Sequence, residues 1–388
     1  MKPFRSRRVG SALAAAAALV AMLGACSSGG NEPAAANPAA PAAAGGDSKA
    51  TVEKLLKPVA GYQLPGESLS NVGSLAGRTV YYIPITQQHS AFTVTGNGLR
   101  DALAAAGLRL QVCSGDSNPS QISACVNQAS GAGAAAIVTD AIPYTLAANA
   151  FDAARAKKIP VLITSQVPDP AHPADATLAY IEGGGHSMLT AIADWISADS
   201  GGNAKIVFNQ STDSPSAMSY GEDFRQRIAQ QCAGCSVVTN QVSTTNFPLV
   251  ASSTSSAILR TPGVAYLVTE FEAFLQPTLG GAQQSGRMAS LKGGSTAATL
   301  TGLRMIASKN FLYADVGKSL SYQGWAAGDA VLRLLLGKPV PEYEIPIRLF
   351  TRDTISSIPL TSEAEASGEW YGPTDFPAKF RALWGLSG

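Results

Sequence analysis

The sequence carries little charge: 14% of its 388 residues are Asp, Glu, Lys or Arg, and the formal net charge is +1. Holding a phosphate backbone needs a concentrated basic surface, so this balance argues against a nucleic-acid partner. Histidine is scarcer, with only His89, His172 and His186 at unrelated places. No four-ligand zinc set forms from them, and neither a metal nor another cofactor is expected. Also missing are a G-x-S-x-G elbow, an H-E-x-x-H helix and any Cys/His constellation. The stretch "DVGKS" ends like a phosphate-binding loop, but Leu312 stands where its earlier glycine is required. In "GGGHS", Met188 replaces the third glycine of a dinucleotide fingerprint. The expectation is therefore a protein that is not an enzyme. Beyond the N-terminus no apolar run reaches membrane-spanning length; "VLRLLLG" is short and carries Arg333, as a core helix would.

The N-terminus is different. Lys2, Arg5, Arg7 and Arg8 precede the uncharged run "VGSALAAAAALVAML", the pattern of a secretory signal. Leu23-Gly24-Ala25-Cys26 resembles the lipobox of bacterial lipoproteins, whose cysteine is acylated and becomes the mature N-terminus. That resemblance implies lipidation at Cys26 and attachment to the outside of the bacterial cell membrane by lipid alone. The segment that follows, rich in Ala, Pro, Gly and Ser, buries nothing and is expected to act as a tether.

Five cysteines leave one unpaired. Four of them form local pairs, Cys113 with Cys125 and Cys232 with Cys235, and an exported chain meets an oxidising compartment, so two disulfides are expected. "CAGC" follows a helical run and precedes a strand-like one, the setting of a stapled turn rather than of a redox site.

From Thr79 onward, short β-branched runs alternate with helical patterns. The strand candidates are "TVYYIPI", "LRLQVC", "AAAIVTD", "PVLITSQ", "LAYIEG", "AKIVFNQ", "SVVTNQV", "AYLVTE", "MASLKG" and "FLYADVG". Segments such as "GLRDALAAAG" and "QGWAAGDAVLRLLLG" lie between them. Apolar strands alternating with helices predict an α/β fold of parallel sheets covered on both faces. So many strands exceed one sheet, and the proline-rich stretch 167–177 reads as a crossover between two Rossmann-like lobes that face each other across a cleft.

This order of segments resembles a type I periplasmic binding protein, the group of ribose- and galactose-type receptors and sugar-repressor sensor domains. The fragments that carry the likeness are "YYIPITQQHSAF", "GLRDALAAAGLRLQV", "SNPSQISACVNQASGAGAAAIVTD", "SPSAMSYGEDFRQRI" and "SLSYQGWAAGDAVLRLLLGKPV", within roughly residues 79 to 350. The expected organisation is a signal peptide over 1–25, the acylated cysteine and tether over 26–50 and an extension over 51–78. A first lobe would span 79–168 with 318–340, a second lobe 169–317 with 341–352, and a tail 353–388. The extension is expected on the first lobe, and the aromatic tail over the surface of a lobe or a partner.

By position in the resemblance, the first lobe would offer the ligand Gln88, His89, Phe92, Asp140, Tyr144, Ser165 and Gln166. The second would offer Asp213, Ser216, Asn246, Phe247, Glu270, Phe271 and Ser295, with Lys318 near a hinge strand. Such a mixture suits a small polar solute, rings covering its apolar faces and amides, carboxylates and hydroxyls making directional bonds. Bland roles stand beside these: Asp213 and Ser216 as helix caps, Phe92 as core, His89 as a solvated loop residue, Glu270 and Glu272 as surface charges. Sugar receptors of the group commonly carry an Asn-Asp pair after the strand written here "AYLVTE" and an aspartate after "MASLKGG"; this chain has Glu270-Phe271 and Gly293. The resemblance implies a monomeric solute-binding protein that delivers a sugar or sugar-like ligand to an ABC permease. A receptor that signals to a membrane partner, or one for an amino acid or aromatic acid, is the alternative.

Overall fold

The computed structural model describes residues 46–386. Cys26, the signal segment and most of the tether lie outside the described residues. The first sheet comprises β1 (Thr79–Pro84), β2 (Arg109–Val112), β3 (Ala136–Asp140), β4 (Val161–Thr164) and β5 (Leu178–Ile181), all parallel, in the order β2-β1-β3-β4-β5. The second comprises β6 (Lys205–Ser211), β7 (Ser236–Val242), β8 (Tyr266–Thr269), β9 (Lys292–Ala297), β10 (Leu312–Lys318) and β11 (Ile347–Thr351), in the order β11-β10-β9-β8-β6-β7. Central strands such as "AIVTD" and "VLIT" are buried at every position, as helices on both faces of a parallel sheet require.

The helices that matter most to the cleft are α2 (Ser90–Ala105), α5 (Gly185–Asp199), α6 (Pro215–Gln231), α9 (Leu300–Ala307) and α10 (Leu320–Leu335). α10 returns the chain from the second sheet to the first and lies tightly on α2. A methyl group on Gly98 would come within 2.6 Å of the Ser321 carbonyl, and one on Gly324 within 2.5 Å of the Thr95 carbonyl, so glycine sets that spacing. Asn118 and Ser214 cap α3 (Pro119–Gly131) and α6 through their side chains, each followed by Pro at the first helical position. Both expected disulfides are present, Cys113–Cys125 joining β2 to α3 and Cys232–Cys235 closing the turn between α6 and β7.

Several expectations are corrected. Residues 167–177 are not the crossover: β5 follows them and pairs with β4, so the chain leaves the first lobe only at Glu182–Gly184. The run "MASLKG" is not a strand, since Met288–Ser290 is a single helical turn and β9 begins at Lys292. The second sheet is not wholly parallel, because β11 runs antiparallel to β10. Tyr343 and Ile345 belong to the first lobe's core, which leaves only β11 from the segment 341–352 in the second sheet.

The termini also depart from the simple plan. Helix α1 (Gly46–Leu55) starts inside the expected tether and packs on α5 of the second lobe. Residues Tyr62, Leu69, Val72 and Leu75 then enter the first lobe's core. The tail does the same in the same order along the chain: Trp370 and Tyr371 join the second lobe's core, and α12 (Phe376–Leu383) with the residue that follows it delivers Phe376, Phe380 and then Trp384 to the first. Where these two segments pass between lobes they are pinned to β11. Arg348 donates to the carbonyls of Leu56 (3.2 Å) and Trp370 (2.5 Å), and the amide of Val59 donates to the Tyr371 carbonyl (2.8 Å).

Candidate ligand-binding cleft

The carboxyl ends of both sheets face the junction of the lobes, where ligands of open α/β sheets bind. Lys318 ends β10 there and is 9% exposed. Its ammonium donates to Ser165 Oγ at 3.1 Å, and Gln323 Nε2 donates to the same oxygen at 3.1 Å. Burial lowers the Lys318 pKa, opposed by attraction to Asp140 and Glu182. An ammonium has three protons, and one bond to Ser165 leaves donors to spare.

Acceptors surround it. Asp140 Oδ2 takes the Tyr82 hydroxyl at 2.8 Å, while its Oδ1 and the Oε1 of Gln323 have no partner within the protein. Gly183 sits against this group at φ +79°, and a Cβ there would meet Lys318 Nζ at 2.8 Å and Gln323 Oε1 at 3.0 Å. Glu182 caps the following helix by accepting from the amides of Gly184 (2.7 Å) and His186 (3.2 Å). The lobes touch directly here. Ser216, on α6 of the second lobe, donates to Gln166 Oε1 at 2.8 Å and accepts from the Val167 amide at 3.0 Å. Tyr220, one turn along α6, has its phenol pushed up by burial and by Glu182.

Of the residues singled out from sequence, the structure brings Asp140, Ser165, Gln166, Ser216 and Lys318 together. His89 and Phe92, both half-buried, flank the start of α2 beside them; the Phe92 carbonyl accepts from Tyr82, and burial lowers the pKa of His89. Gln88 is exposed in the same loop. Glu270 is fully buried at the end of β8, not a surface charge: its Oε2 accepts from the Ser211 amide at 2.7 Å, and burial pushes its carboxyl well above the ordinary range. Phe271 is half-buried against Val242, Val250 and Phe274, whereas Asn246 and Phe247 are exposed on the turn after β7.

Of the remaining candidates, Tyr144 and Asp213 are occupied elsewhere, and the buried Ser295 hydroxyl has no partner within the protein. Tyr144 stacks on His172 at 3.9 Å between centroids, donates to Asp152 at 2.6 Å and accepts from Arg155 at 2.7 Å, inside the first lobe's outer packing. Asp213 binds the amide and hydroxyl of Thr244 and so fastens the loop after β7, and the cap of α6 is Ser214 rather than Asp213 or Ser216. Ser295 lies within β9, fully buried, because that strand runs on to Ala297. The strand thus ends at Ala297 and Ala298 follows it, so the position after β9 is not the Gly293 inferred from "MASLKGG".

Sequence reasoning passed over Glu182, Tyr82 and Gln323. Glu182 directly follows "LAYI", the signal that marked Ser165 and Lys318, but that strand had been placed in the other lobe. Glu272, read from sequence as a surface charge, is instead buried beside Asp315, which sequence reasoning passed over. Glu272 binds the amide of Thr299 (2.9 Å) and its hydroxyl, and Asp315 binds the amide of Ala298 at 3.1 Å. These bonds hold a turn in which Ala297 and Ala298 have φ of 118° and 45°. Burial pushes both carboxyls up, Asp315 to about 6 and Glu272 well above the ordinary carboxyl range, with each carboxyl acting on the other.

The family model of a periplasmic binding protein domain matches residues 80–339. No curated protein matches the sequence. Among solved structures, a 5-methylthioribose transporter solute-binding protein of Thermotoga lettingae is 18% identical with a TM-score of 0.65, over 83% of this chain and 99% of that one. A glucose-galactose binding protein of Geobacillus stearothermophilus is 15% identical with a TM-score of 0.63, over 71% and 98%. A Mycobacterium smegmatis protein in complex with β-D-fucofuranose is 15% identical with a TM-score of 0.62, over 76% and 98%.

Proposed function

Because the chain belongs to the periplasmic binding protein family, we propose that it captures a neutral sugar or sugar-like polyol in the inter-lobe cleft and hands it to an ABC permease. The observation that carries this reading is the group around Lys318. It offers donors from the ammonium beside unpartnered acceptors on Asp140 and Gln323, the complement of hydroxyls that both give and receive hydrogen bonds. Lys318 faces two carboxylates, Asp140 and Glu182, so the local charge sum favours a neutral ligand over a sugar acid or phosphate. The sugars named for the structurally similar proteins support the same class.

Capture proceeds by hinge closure. Asp140, Ser165 and Gln166 ride on the first lobe, Ser216 on the second and Lys318 on the crossover, so a ligand touching all of them favours the closed form. The protein acts without catalysing a reaction, as a monomer, held outside the cell membrane through acylated Cys26 and the tether. Native mass spectrometry of the secreted chain, followed by a thermal-shift panel of neutral sugars, polyols, sugar acids and amino acids, tests the ligand class: neutral sugars should raise Tm by mass action. Stabilisation by amino acids or sugar acids alone would sink the reading. Cys26→Ser should release the protein into the medium, and a variant that stays with the membrane would refute the anchor.

A further inference from the structure

The tail contains a short helix, α11 (Ser362–Ser367), whose position the sequence did not signal. Ala364 is buried in the second lobe's core, Thr361 caps the helix, and Trp370 fixes the segment beyond by donating to the Pro359 carbonyl at 2.7 Å. Ala364 thus anchors α11 in the second lobe, and the helix also packs on α2 and α10 of the first, so Glu365 sits at the junction. Its Oε1 accepts from the Leu300 amide at 2.9 Å and from the Ser90 hydroxyl at 3.4 Å. Leu300 is the first residue of α9, in the second lobe; Ser90 is the first residue of α2, in the first lobe. Neither helix has a side-chain cap of its own.

One carboxylate thus serves two helix N-termini that face each other across the lobe junction. Each terminus presents unsatisfied amides and partial positive charge, so a shared anion stabilises their approach. With Ala364 and the bond to Leu300 holding α11 to the second lobe, separating the lobes breaks its packing on α2 and α10 and parts Glu365 from Ser90, at the end of α2 that also carries His89 and Phe92. The segment then passes close to the hinge, where Gly368 abuts Ser319 Oγ and Ser321.

We propose that Glu365 is a positioning residue, a latch supplied by the C-terminal segment that raises the closed population of the two lobes before any ligand binds. The inference goes beyond sugar capture and needs no ligand for its test. Spin labels at exposed Lys157 and Gln284, on opposite lobes of the full chain, report the inter-lobe distance distribution. Glu365→Ala should raise the open-to-closed ratio about two- to five-fold, the range expected for a charge at a helix terminus. Ser90→Ala should move it less in the same direction, and should add nothing in the Glu365→Ala background. Glu365→Gln keeps size and acceptor, guards against misfolding, and should fall between wild type and alanine. A wild-type distribution without a closed population, variants that superimpose on wild type, or additive effects of the two alanine changes would each overturn the latch. Failure of sugar binding would leave these distributions standing, so the two readings fail separately.

Discussion

The two lobes share a strand-helix plan but use their carboxylates differently. At the end of β3, Asp140 keeps one oxygen free of protein partners, beside the Lys318 ammonium. Just after β8, Glu270 and Glu272, and within β10, Asp315, bind backbone amides of their own lobe. Glu270 Oε1 and Asp315 Oδ2 also lack partners, so the difference lies in what each acid holds: the first lobe's acid accepts a phenol beside a buried ammonium, whereas the second lobe's acids bind backbone amides and hold turns in place. A buried acid is thus no guide to function until its hydrogen bonds are counted.

Changing Lys318 breaks this contrast most severely. Lys318→Met leaves Asp140 and Glu182 without their cation, and removal of one partner from a buried charge group costs about 2–5 kcal/mol. Affinity for the best neutral sugar in calorimetric titration should fall at least thirty-fold; an unchanged Kd would place the ligand elsewhere. Next, Gly183→Ala forces a side chain into positive φ and into Lys318, a strain of about 1–3 kcal/mol. Tm and affinity should fall together, and a loss of Tm with affinity intact would detach Gly183 from the site.

The second lobe's acids predict a pH effect instead. Asp315 and Glu272 have folded pKa values above their unfolded ones, so their contribution to stability is fully present below the unfolded carboxyl range near pH 4. It is lost as pH rises through the folded values, about 6 for Asp315. Glu272→Gln removes one titration. In denaturant melts the variant should therefore gain on wild type between pH 4.5 and 7.5, and a constant difference would show that the pair does not titrate there. The smallest effect is expected at Tyr144→Phe. Losing its bonds to Asp152 and Arg155 should cost about 1 kcal/mol of stability while leaving ligand affinity unchanged; a weakened Kd would return Tyr144 to the cleft.

What was legible from sequence follows from locality. Strands such as "AIVTD" announce themselves by continuous apolar character, and Asp140, Ser165 and Lys318 are legible because they end or directly follow a strand. β9 was misplaced because "KGGSTA" has almost no apolar signal: its glycines are packed by Phe311 and Trp195 from other elements. The lobe of β5 depends on long-range pairing with β4, which the local prolines of 167–177 cannot reveal. Tyr144 misled for the same reason, since its ring and hydroxyl are claimed by His172, Asp152 and Arg155 in three dimensions. The terminal segments were hardest, because each divides its aromatic and apolar residues between two cores.

If the lobes close on a neutral sugar held at Lys318, the protein becomes more compact when it binds. Small-angle scattering of the secreted chain, titrated with the tightest-binding neutral sugar, measures this most directly. The radius of gyration should fall and saturate at one equivalent; a radius that stays constant while calorimetry records binding would rule closure out.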